Sequence, residues 1–430
     1  MKLHSKILMG LIAGIILGLL CNLLITDKEQ IQWLVNYISN PLGQIFLRSI
    51  FMIVVPLIFV AIVLGVADFR DIHKIGRIGV KDIGFTLVIT TVSVLIGIIA
   101  VNVIEPGKQI SSPDRAELIQ TISGGEPVEQ IVSTAKESKD LLRILIDIIP
   151  KNPFAEVVYA FDPGYRGGGL LSVMFFALIF GIAMSMVKPE KTAVLHQVFQ
   201  GIYDILMKII DFAMKIAPIG VAALIFTTTS QLGFQVISLL LSYVSIVLIA
   251  LIVHMVLTYG VILKYLVRIN PVTFFRNITE VIVTAFSTSS SNATLPTSIR
   301  VTNEKFKLDK DITNFVLTVG STANQNGTAL YEGITVLFLA QFYGIDLSIS
   351  SQFVIILLAI LAGVGTAGVP GGSLPLVVVV LQTIGVPAES IGIIMGVDRI
   401  LDMSRTVVNV TGDIVLTCWV DKSERKLIPG

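Results

Sequence analysis

Charged residues are scarce in this sequence. Asp, Glu, Lys and Arg make up 14% of the 430 residues, whereas an ordinary soluble domain has about 25%. The two cysteines, Cys21 and Cys418, stand at opposite ends of the chain, which argues against a disulfide framework or a cysteine metal site. The four histidines are scattered, so they indicate neither a transition-metal site nor a catalytic triad. We therefore expect no enzyme activity, no transition metal and no bound cofactor.

Apolar residues are abundant and make up 54% of the chain. Mostly apolar runs of about 18 or more residues, the length that crosses a bilayer as a helix, recur along it. The sequence therefore predicts an all-α polytopic membrane protein. Six spans are predicted before the C-terminal region, at residues 7–25, 44–67, 83–103, 170–187, 202–228 and 236–266. Residues 105–140, which are rich in Ser, Glu, Gln and Pro, are predicted to form an extracellular loop.

Basic residues are concentrated in alternate short loops. Arg70 and Lys74 lie between the second and third spans, and Lys188 and Lys191 follow the fourth. By the positive-inside rule, this distribution places both termini in the cytoplasm. We expect a multi-pass protein of the plasma (inner) membrane. The formal net charge of +1 gives no sign of a nucleic-acid partner, and none is expected.

The C-terminal region alternates apolar arms with polar interruptions. Residues 274–298 end in a Ser/Thr-rich tip with basic residues on both flanks, which predicts a re-entrant hairpin entering from the cytoplasm. A seventh span, 315–343, is interrupted by the polar stretch 321–333, and residues 353–383 repeat the hairpin from the outer side. The last span is predicted at 391–420. Two interrupted segments in corresponding positions indicate an inverted repeat, and in transporters they point to a binding site at the membrane midplane.

The last span carries the chemistry. Its polar residues recur at helical spacing on one face, namely Asp402, Arg405, Thr406, Asn409 and Asp413. The guanidinium of Arg405 suits a carboxylate, and Asp402 suits an ammonium group. Backbone oxygens around residues 320–324, with Asn409 and Asp413, suit a hard cation such as Na⁺. The alternative is that these charges only neutralise one another.

A resemblance to a known family rests on four motifs, FSTSSSNATLPTS, GTALYEG, GTAGVPGG and DMSRTVVNVTGD. They resemble motifs of the dicarboxylate/amino acid:cation symporter family, which includes the glutamate transporters, and the similarity covers nearly the whole chain. It implies eight spans, two re-entrant hairpins, a homotrimer and an elevator mechanism. It divides the chain into scaffold spans 1 and 2 (1–82), transport-domain span 3 (83–104), scaffold spans 4 and 5 with transport-domain span 6 (105–267), and the transport core (268–430).

The resemblance also implies roles for single residues. Arg405 is similar to the arginine that binds the substrate side-chain carboxylate, and Asp402 to the residue that binds its amino group. The other implied substrate contacts are Thr406, Asn409, Thr328, Ser290, Ser291, Val369 and Gly371. One implied sodium site comprises Gly320, Asn324, Asn409 and Asp413. A second, built from backbone oxygens, comprises Thr322, Gly363, Val364 and Thr366.

Two positions depart from the family pattern around the sodium sites. Asn326 stands where the family usually has an aspartate, which removes a charge from a third sodium site. The positions that align with this site in the third span are Thr86, Ile89 and Thr90, and the side chain of Ile89 has no oxygen. The sequence therefore predicts that the third sodium site is weak or absent.

Two further positions concern charge balance. Glu332 matches the position of the proton-carrying glutamate of eukaryotic members, and burial favours the neutral form of a carboxyl group. The alternative is that Glu332 pairs structurally with Arg399 or Arg405. Ser289 replaces an arginine of archaeal members, so Arg399 is expected to supply the missing charge near Asp402 or its neighbour Asp398.

The leading hypothesis is a symporter that imports L-glutamate or L-aspartate with H⁺, Na⁺ or both, with the lipid bilayer and further copies of the chain as partners. The alternative is a C4-dicarboxylate or neutral amino acid symporter of the same fold. Asp402 argues against a dicarboxylate, because a substrate without an amino group leaves this carboxylate without a counter-ion. An intramembrane serine hydrolase using residues 287–291 lacks a suitable base.

Overall fold

A computed structural model describes residues 3–25, 27–67, 77–108, 146, 149–159, 170–365 and 373–425. Within these ranges the chain is helical and contains no strand, so the predicted all-α class is confirmed. The helices are α1 (Leu3–Leu24), α2 (Lys28–Leu34), α3 (Asn40–Ala67), α4 (Arg77–Ile104), α5 (Pro153–Val158), α6 (Leu170–Met186), α7 (Pro189–Leu232), α8 (Phe234–Val253), α9 (Pro271–Asn277), α10 (Thr279–Thr288), α11 (Ser291–Phe306), α12 (Lys310–Ala323), α13 (Asn326–Phe342), α14 (Ile349–Gly365), α15 (Leu374–Thr383) and α16 (Met395–Arg425).

Four helical stretches in the described residues are long and apolar enough to cross a membrane. They are Ser5–Leu24, Ile78–Lys108, Pro189–Gln231 and Val236–Val267. Shorter apolar stretches are Val55–Leu64, Ser172–Met186 and Ile349–Leu361. Together with the all-helical architecture, these apolar stretches identify a membrane protein.

Helix α7 is longer than the predicted span at residues 202–228. It begins with Pro189 in its first turn and ends before Gly233, whose φ is 57°. Proline is well tolerated in the first turn of a helix, and glycine adopts a positive φ easily. Pro218 lies inside the helix without ending it. The boundaries are therefore set by these two residues rather than by hydropathy.

Helix α7 packs against α1 and α3, and α3 also packs against α6. On α1, glycines replace side chains where the backbone of α7 approaches. A Cβ atom added to Gly14 would lie 2.5 Å from the carbonyl oxygen of Ala222. Gly10 faces Pro218 of α7 in the same way. The small residues on this face of α1 thus form a helix contact.

A second group of helices surrounds α13 and α16. Helix α13 packs on α4, and the consecutive helices α10 and α11 pack on each other and on α16. All residues of α13 are buried. The chain leaves helical geometry between α12 and α13 only at Asn324 and Gln325. The predicted interruption at 321–333 was therefore too long.

Two predicted features lie partly outside the described residues. Helices α14 and α15 lie at the positions predicted for the arms of the second hairpin, and its predicted tip at 366–372 is outside the described part of the chain. The predicted loop at 105–140 is described only as far as a short 3₁₀ turn, Pro106–Lys108. The last helix begins at Met395, after a 3₁₀ turn at Ala388–Ile393, and not at residue 391.

Candidate functional site

Arg405 is a buried cation on α16, with 1% of its surface exposed. Its Nη1 donates to Asp398 Oδ1 at 3.1 Å, and its Nη2 donates to Asp402 Oδ1 at 2.8 Å. Both partners lie on α16, one and two turns before Arg405. The guanidinium is therefore held in a fixed orientation by its own helix, and both buried carboxylates have a counter-ion.

Tyr331 of α13 contacts both Arg405 and its partner Asp398. Its ring lies 4.2 Å from the Cζ atom of Arg405, a cation–π distance. Its hydroxyl donates to Asp398 Oδ1 at 2.7 Å. The carboxylate of Asp398 thus orients both neighbours. Tyr331 was missed in the sequence, although its place within GTALYEG, three residues after Thr328, was an available signal.

Arg399 provides a second cation beside Asp402. Its Nη1 donates to Asp402 Oδ2 at 3.2 Å, so each oxygen of this carboxylate faces a guanidinium. The side chain of Arg399 is 18% exposed, whereas that of Asp402 is 6% exposed. This contact agrees with the expectation that Arg399 supplies charge near Asp402.

Asn409 joins α16 to the break between α12 and α13. Its Oδ1 accepts from the backbone N–H groups of Gly327 at 2.7 Å and of Thr328 at 3.3 Å. Its Nδ2 donates to Gln325 Oε1 at 2.6 Å and to Thr328 Oγ1 at 3.0 Å. The amide therefore acts as the N-cap of α13, from a different helix. Gln325 was not identified in the sequence as part of this site.

Gly327 allows the break to lie directly on α16. A Cβ atom there would lie 2.5 Å from the carbonyl oxygen of Arg405 and 3.1 Å from its Cα. No side chain fits in this space. The glycine is needed for the close approach of the two helices, and this approach brings Thr328 next to Asn409.

Asp413 and Asn324 meet at the other side of the break. Nδ2 of Asn324 donates to Asp413 Oδ1 at 2.8 Å. A Cβ atom on Gly320 would lie 2.6 Å from the same oxygen. Oδ1 of Asn324 is buried without a hydrogen-bond partner in the described part of the protein. The structure thus brings together three of the four residues of the first expected sodium site, with Asn409 one turn before Asp413 on α16.

Asn326 is occupied by neutral hydrogen bonds. Its Oδ1 accepts from Thr90 Oγ1 at 2.6 Å, and its Nδ2 donates to the hydroxyl of Tyr259 at 3.1 Å. Thr86 and Ile89, the other positions expected near this asparagine, are buried on the same helix as Thr90. An amide in this environment supplies one oxygen and no charge.

The junction of α10 and α11 carries the expected serines. Ser290 is the N-cap of α11, where its Oγ accepts from the backbone N–H of Ala293 at 3.1 Å. Ser291 is the first residue of α11 and is buried. Ser289 has a φ of 51°, a left-handed conformation that is unusual for serine. The connection between the two helices therefore takes only two residues, and it leaves Ser290 and Ser291 buried at the N-terminus of α11.

Glu332 is fully buried on α13, next to Tyr331. Neither carboxyl oxygen has a hydrogen-bond partner in the described residues. The alternative in which Glu332 pairs with Arg399 or Arg405 is therefore wrong for this structure. A buried carboxyl without a partner fits a group that is carried in its neutral form.

The remaining expected ligands belong to the second sodium site and the second hairpin. Gly363 and Val364 lie in the last turn of α14, which ends at Gly365. Thr322 lies in the last turn of α12. Thr366, Val369 and Gly371 lie outside the described residues, so their predicted roles stay predictions.

The chain is similar to a family of characterised transporters. The model of the sodium:dicarboxylate symporter family matches residues 3–423. A proton/glutamate-aspartate symporter of Escherichia coli (strain K12) is 33% identical, over 99% of this chain and 94% of the relative. A proton/sodium-glutamate symport protein of Bacillus subtilis (strain 168) has the same identity and coverage. Human excitatory amino acid transporter 3 is 30% identical, over 98% of this chain and 86% of the relative.

Proposed function

The chain belongs to the sodium:dicarboxylate symporter family, and we propose that it imports L-glutamate or L-aspartate together with Na⁺, H⁺ or both. Its relatives named as glutamate and aspartate symporters support this choice. The observation that carries the proposal is the buried guanidinium of Arg405, held between two carboxylates beside a broken helix. An arginine in this position is suited to a substrate with an additional carboxylate.

Substrate recognition is assigned to the polar face of α16. The hydrogen bonds of Arg405 to Asp398 and Asp402 use only part of its five N–H donors, and we assign the remaining donors to the substrate side-chain carboxylate. Asp402 is proposed to bind the substrate amino group, which takes the place of Arg399 Nη1 as the hydrogen-bond donor to Asp402 Oδ2. Thr406 donates its hydroxyl to the carbonyl oxygen of Asp402 at 2.7 Å and keeps its own oxygen free to accept. The substrate α-carboxylate is assigned to Ser290, Ser291 and the N-terminus of α11.

Further contacts are assigned to Asn409, Thr328, Val369 and Gly371. The Nδ2 of Asn409 is engaged by Gln325 and Thr328 in the structure. Substrate binding through Asn409 therefore requires this amide to exchange one of these partners. This change of hydrogen-bond partner would link substrate binding directly to the break between α12 and α13.

Two Na⁺ sites are proposed near the break. The first uses Gly320, Asn324, Asn409 and Asp413, where the carbonyl ends of α12 and a carboxylate favour a hard cation. The second uses the backbone oxygens of Thr322, Gly363, Val364 and Thr366. The neutral bonding of Asn326 supports the proposal that the third family site is weak or absent. Glu332 is proposed as the proton carrier, because its burial and lack of a partner favour the protonated form.

The membrane arrangement is proposed to have eight spans, with re-entrant hairpins formed by α10–α11 and α14–α15. Both termini lie in the cytoplasm in this proposal, and the protein belongs to the plasma (inner) membrane. The packing of α7 on α1 and α3, and of α6 on α3, supports a scaffold of spans 1, 2, 4 and 5, which meets the rest of the chain through contacts of α7 with α8 and α16. The transport domain comprises residues 83–104, the sixth span and residues 268–430, and it moves as an elevator within a homotrimer.

The direct test is uptake of labelled L-aspartate and L-glutamate into proteoliposomes under separate Na⁺ and H⁺ gradients. We expect gradient-driven uptake in the wild type and none in Arg405→Ala. Arg300→Ala is the matched control, because Arg300 pairs with Glu280 and Glu304 on the exposed surface. The proposal fails if neither gradient drives uptake, or if Arg405→Ala transports like the control.

A C4-dicarboxylate carrier is the second candidate, and one observation favours it. Both oxygens of Asp402 already face guanidinium groups, from Arg399 and Arg405. A substrate without an amino group would therefore leave Asp402 with its counter-ions, which removes the main objection from the sequence. Gradient-driven uptake of labelled succinate that excess unlabelled succinate inhibits, and excess unlabelled aspartate does not, would favour this candidate over the first.

A further inference from the structure

Asp82 is a buried carboxyl group near the start of α4 that the proposed transport mechanism does not use. The residue is 2% exposed, and its Oδ1 has no hydrogen-bond partner among the described residues. The neighbouring cation, Lys81, instead pairs with Glu424 at 2.6 Å and donates to Ser423 Oγ at 2.8 Å. A buried carboxylate without a counter-ion is strongly unfavourable, and such a group becomes neutral instead.

The face of α4 that carries Asp82 packs into an apolar cluster. Ile78 and Phe85 lie one turn before and one turn after Asp82, on the same side of the helix, and both pack against this cluster. Its buried members are Ile312 and Val316 of α12 and Leu416 and Val420 of α16. The ring of Phe85 stacks on that of Trp419, with the centroids 4.2 Å apart. This side of α4 is thus covered by apolar groups, which favours the neutral form of Asp82.

The charged groups on α12 and α16 at this end have partners of their own or are exposed. Glu424 pairs with Lys81, and Asp421 pairs with Arg425 at 2.7 Å. The others are Lys422, which donates to the carbonyl oxygen of Val267, Asp413, which accepts from Asn324, Asp309, which caps α12, and Lys310 and Asp311, which are exposed. In the described residues, none of these groups forms an ion pair with Asp82.

The other helices that pack on α4 bring their titratable groups to other places. Glu332 of α13 adjoins Gly333, which faces Val94, and Val94 is about 18 Å along α4 from Asp82. Helix α14 carries no charged residue. The remaining groups follow α8 and are His254, whose ring packs on Tyr259 beside Asn326, and Lys264, which lies over the ring of Tyr265. A proton is therefore the positive charge that Asp82 lacks.

We propose that Asp82 holds a proton in this arrangement, and that loss of this proton separates the start of α4 from the end of α16. An ionised Asp82 leaves the apolar cluster for water, and the contact of Phe85 with Trp419 opens with it. The proton stays with the fold and is not one of the transported ions. This pH-sensitive contact does not depend on the proposed function, because it uses none of the assigned substrate or ion ligands.

The first test follows the fluorescence of Trp419 in the purified full-length protein. The chain has two tryptophans, so Trp33→Phe leaves Trp419 as the reporter, and Asp82→Asn and Asp204→Asn are added to this background. Asparagine keeps the shape of a neutral carboxyl group, and Asp204 is the matched control because it is an exposed aspartate on α7.

The pH is raised from about 5 to about 9, above the ordinary pKa of aspartate. In the background and the control, we expect the Trp419 emission to shift to longer wavelength and its quenching by iodide to increase. In Asp82→Asn, both should stay constant. A change of equal size in Asp82→Asn, or no change in the background, would overturn the proposal.

Thermal unfolding gives an independent measure of the bound proton. Above about pH 4 an unfolded Asp82 is ionised, whereas the folded chain keeps the proton, so the unfolding equilibrium constant should rise about tenfold per pH unit from this group alone. The Tm of the wild type and of Asp204→Asn should therefore fall more steeply with rising pH than that of Asp82→Asn. Equal slopes in the three proteins would refute proton binding. Absence of amino acid uptake would refute the proposed function and leave these slopes unchanged.

Discussion

Replacement of Arg399 by glutamine is expected to change which substrates the site prefers. Arg399 donates to Asp402 Oδ2 at 3.2 Å, the oxygen that we assign to the substrate amino group. Aspartate brings an ammonium group that takes the place of Arg399, but succinate does not. In Arg399→Gln, bound succinate therefore leaves this oxygen without a cationic partner, whereas bound aspartate supplies one.

The magnitude follows from the cost of removing one partner from a buried polar group, about 1–3 kcal/mol. The residual exposure of Arg399, 18%, favours the lower part of that range. Since about 1.4 kcal/mol corresponds to a tenfold change in an equilibrium constant, the ratio of the Kd for succinate to the Kd for aspartate should rise roughly tenfold. Taking the ratio of the two Kd values cancels effects that both substrates share, such as the lost long-range attraction between the Arg399 charge and the substrate carboxylates.

The assay is competition by succinate and by aspartate against labelled aspartate, in wild type, Arg399→Gln and Arg300→Gln. The control removes an exposed arginine and should leave the ratio unchanged. An unchanged ratio in Arg399→Gln, or a shift towards succinate, would refute the assignment of Asp402 Oδ2 to the amino group.

Two further substitutions test the coupling proton and the break. Glu332→Gln keeps the shape of a neutral carboxyl and should abolish the dependence of uptake on a proton gradient, and full pH-dependent transport in this variant would exclude the proton role. Asn409→Ala removes the cap of α13 and should lower stability by about 1–2 kcal/mol, measured as a lower Tm, together with a loss of uptake. A Tm equal to that of the wild type would show that the cap is replaced by other groups.

The helices could be predicted from the sequence because their apolar length is a local property. Hydropathy located α1, α3 and α4 to within several residues of their observed ends. The break was predicted too broadly, because the whole polar stretch 321–333, which includes Gly327, was interpreted as an interruption of the helix. Gly327 is instead helical and is required by the close approach of the Arg405 backbone. Composition alone does not distinguish these two uses of glycine.

The residue types of the site could also be predicted, but their pairing could not. Helical periodicity placed Asp402, Arg405 and Asn409 on one face of α16. The bonds of Asn409 to the backbone of Gly327 join residues that are 82 positions apart, and the bond of Thr90 to Asn326 joins residues 236 positions apart. Such contacts depend on how helices are placed against each other, and one sequence does not define that placement.

The proposed site has a substrate half around Arg405 and an ion half around Asp413. The charges of these two halves indicate how ion binding and substrate binding could be coupled. Near Arg405 two carboxylates face two guanidinium groups, so this half is internally neutral. An acidic amino acid adds one net negative charge there. Asp402 and Asp413 are 11 residues apart on α16, which corresponds to about 16 Å along the helix. At an effective dielectric constant of about 20, a Na⁺ at Asp413 attracts that charge by only ~1 kcal/mol.

Coulomb attraction alone would therefore change affinity by about fivefold per ion. Stronger coupling requires a structural link between the halves, and the break between α12 and α13 provides one. Asn324, at the end of α12, donates to Asp413, and the start of α13 is capped by Asn409. In the proposed function, an ion that draws Asn324 towards it would change the position of the same segment that the substrate is proposed to contact through Thr328. We therefore expect the coupling to be mainly mechanical, with electrostatic attraction as the smaller part.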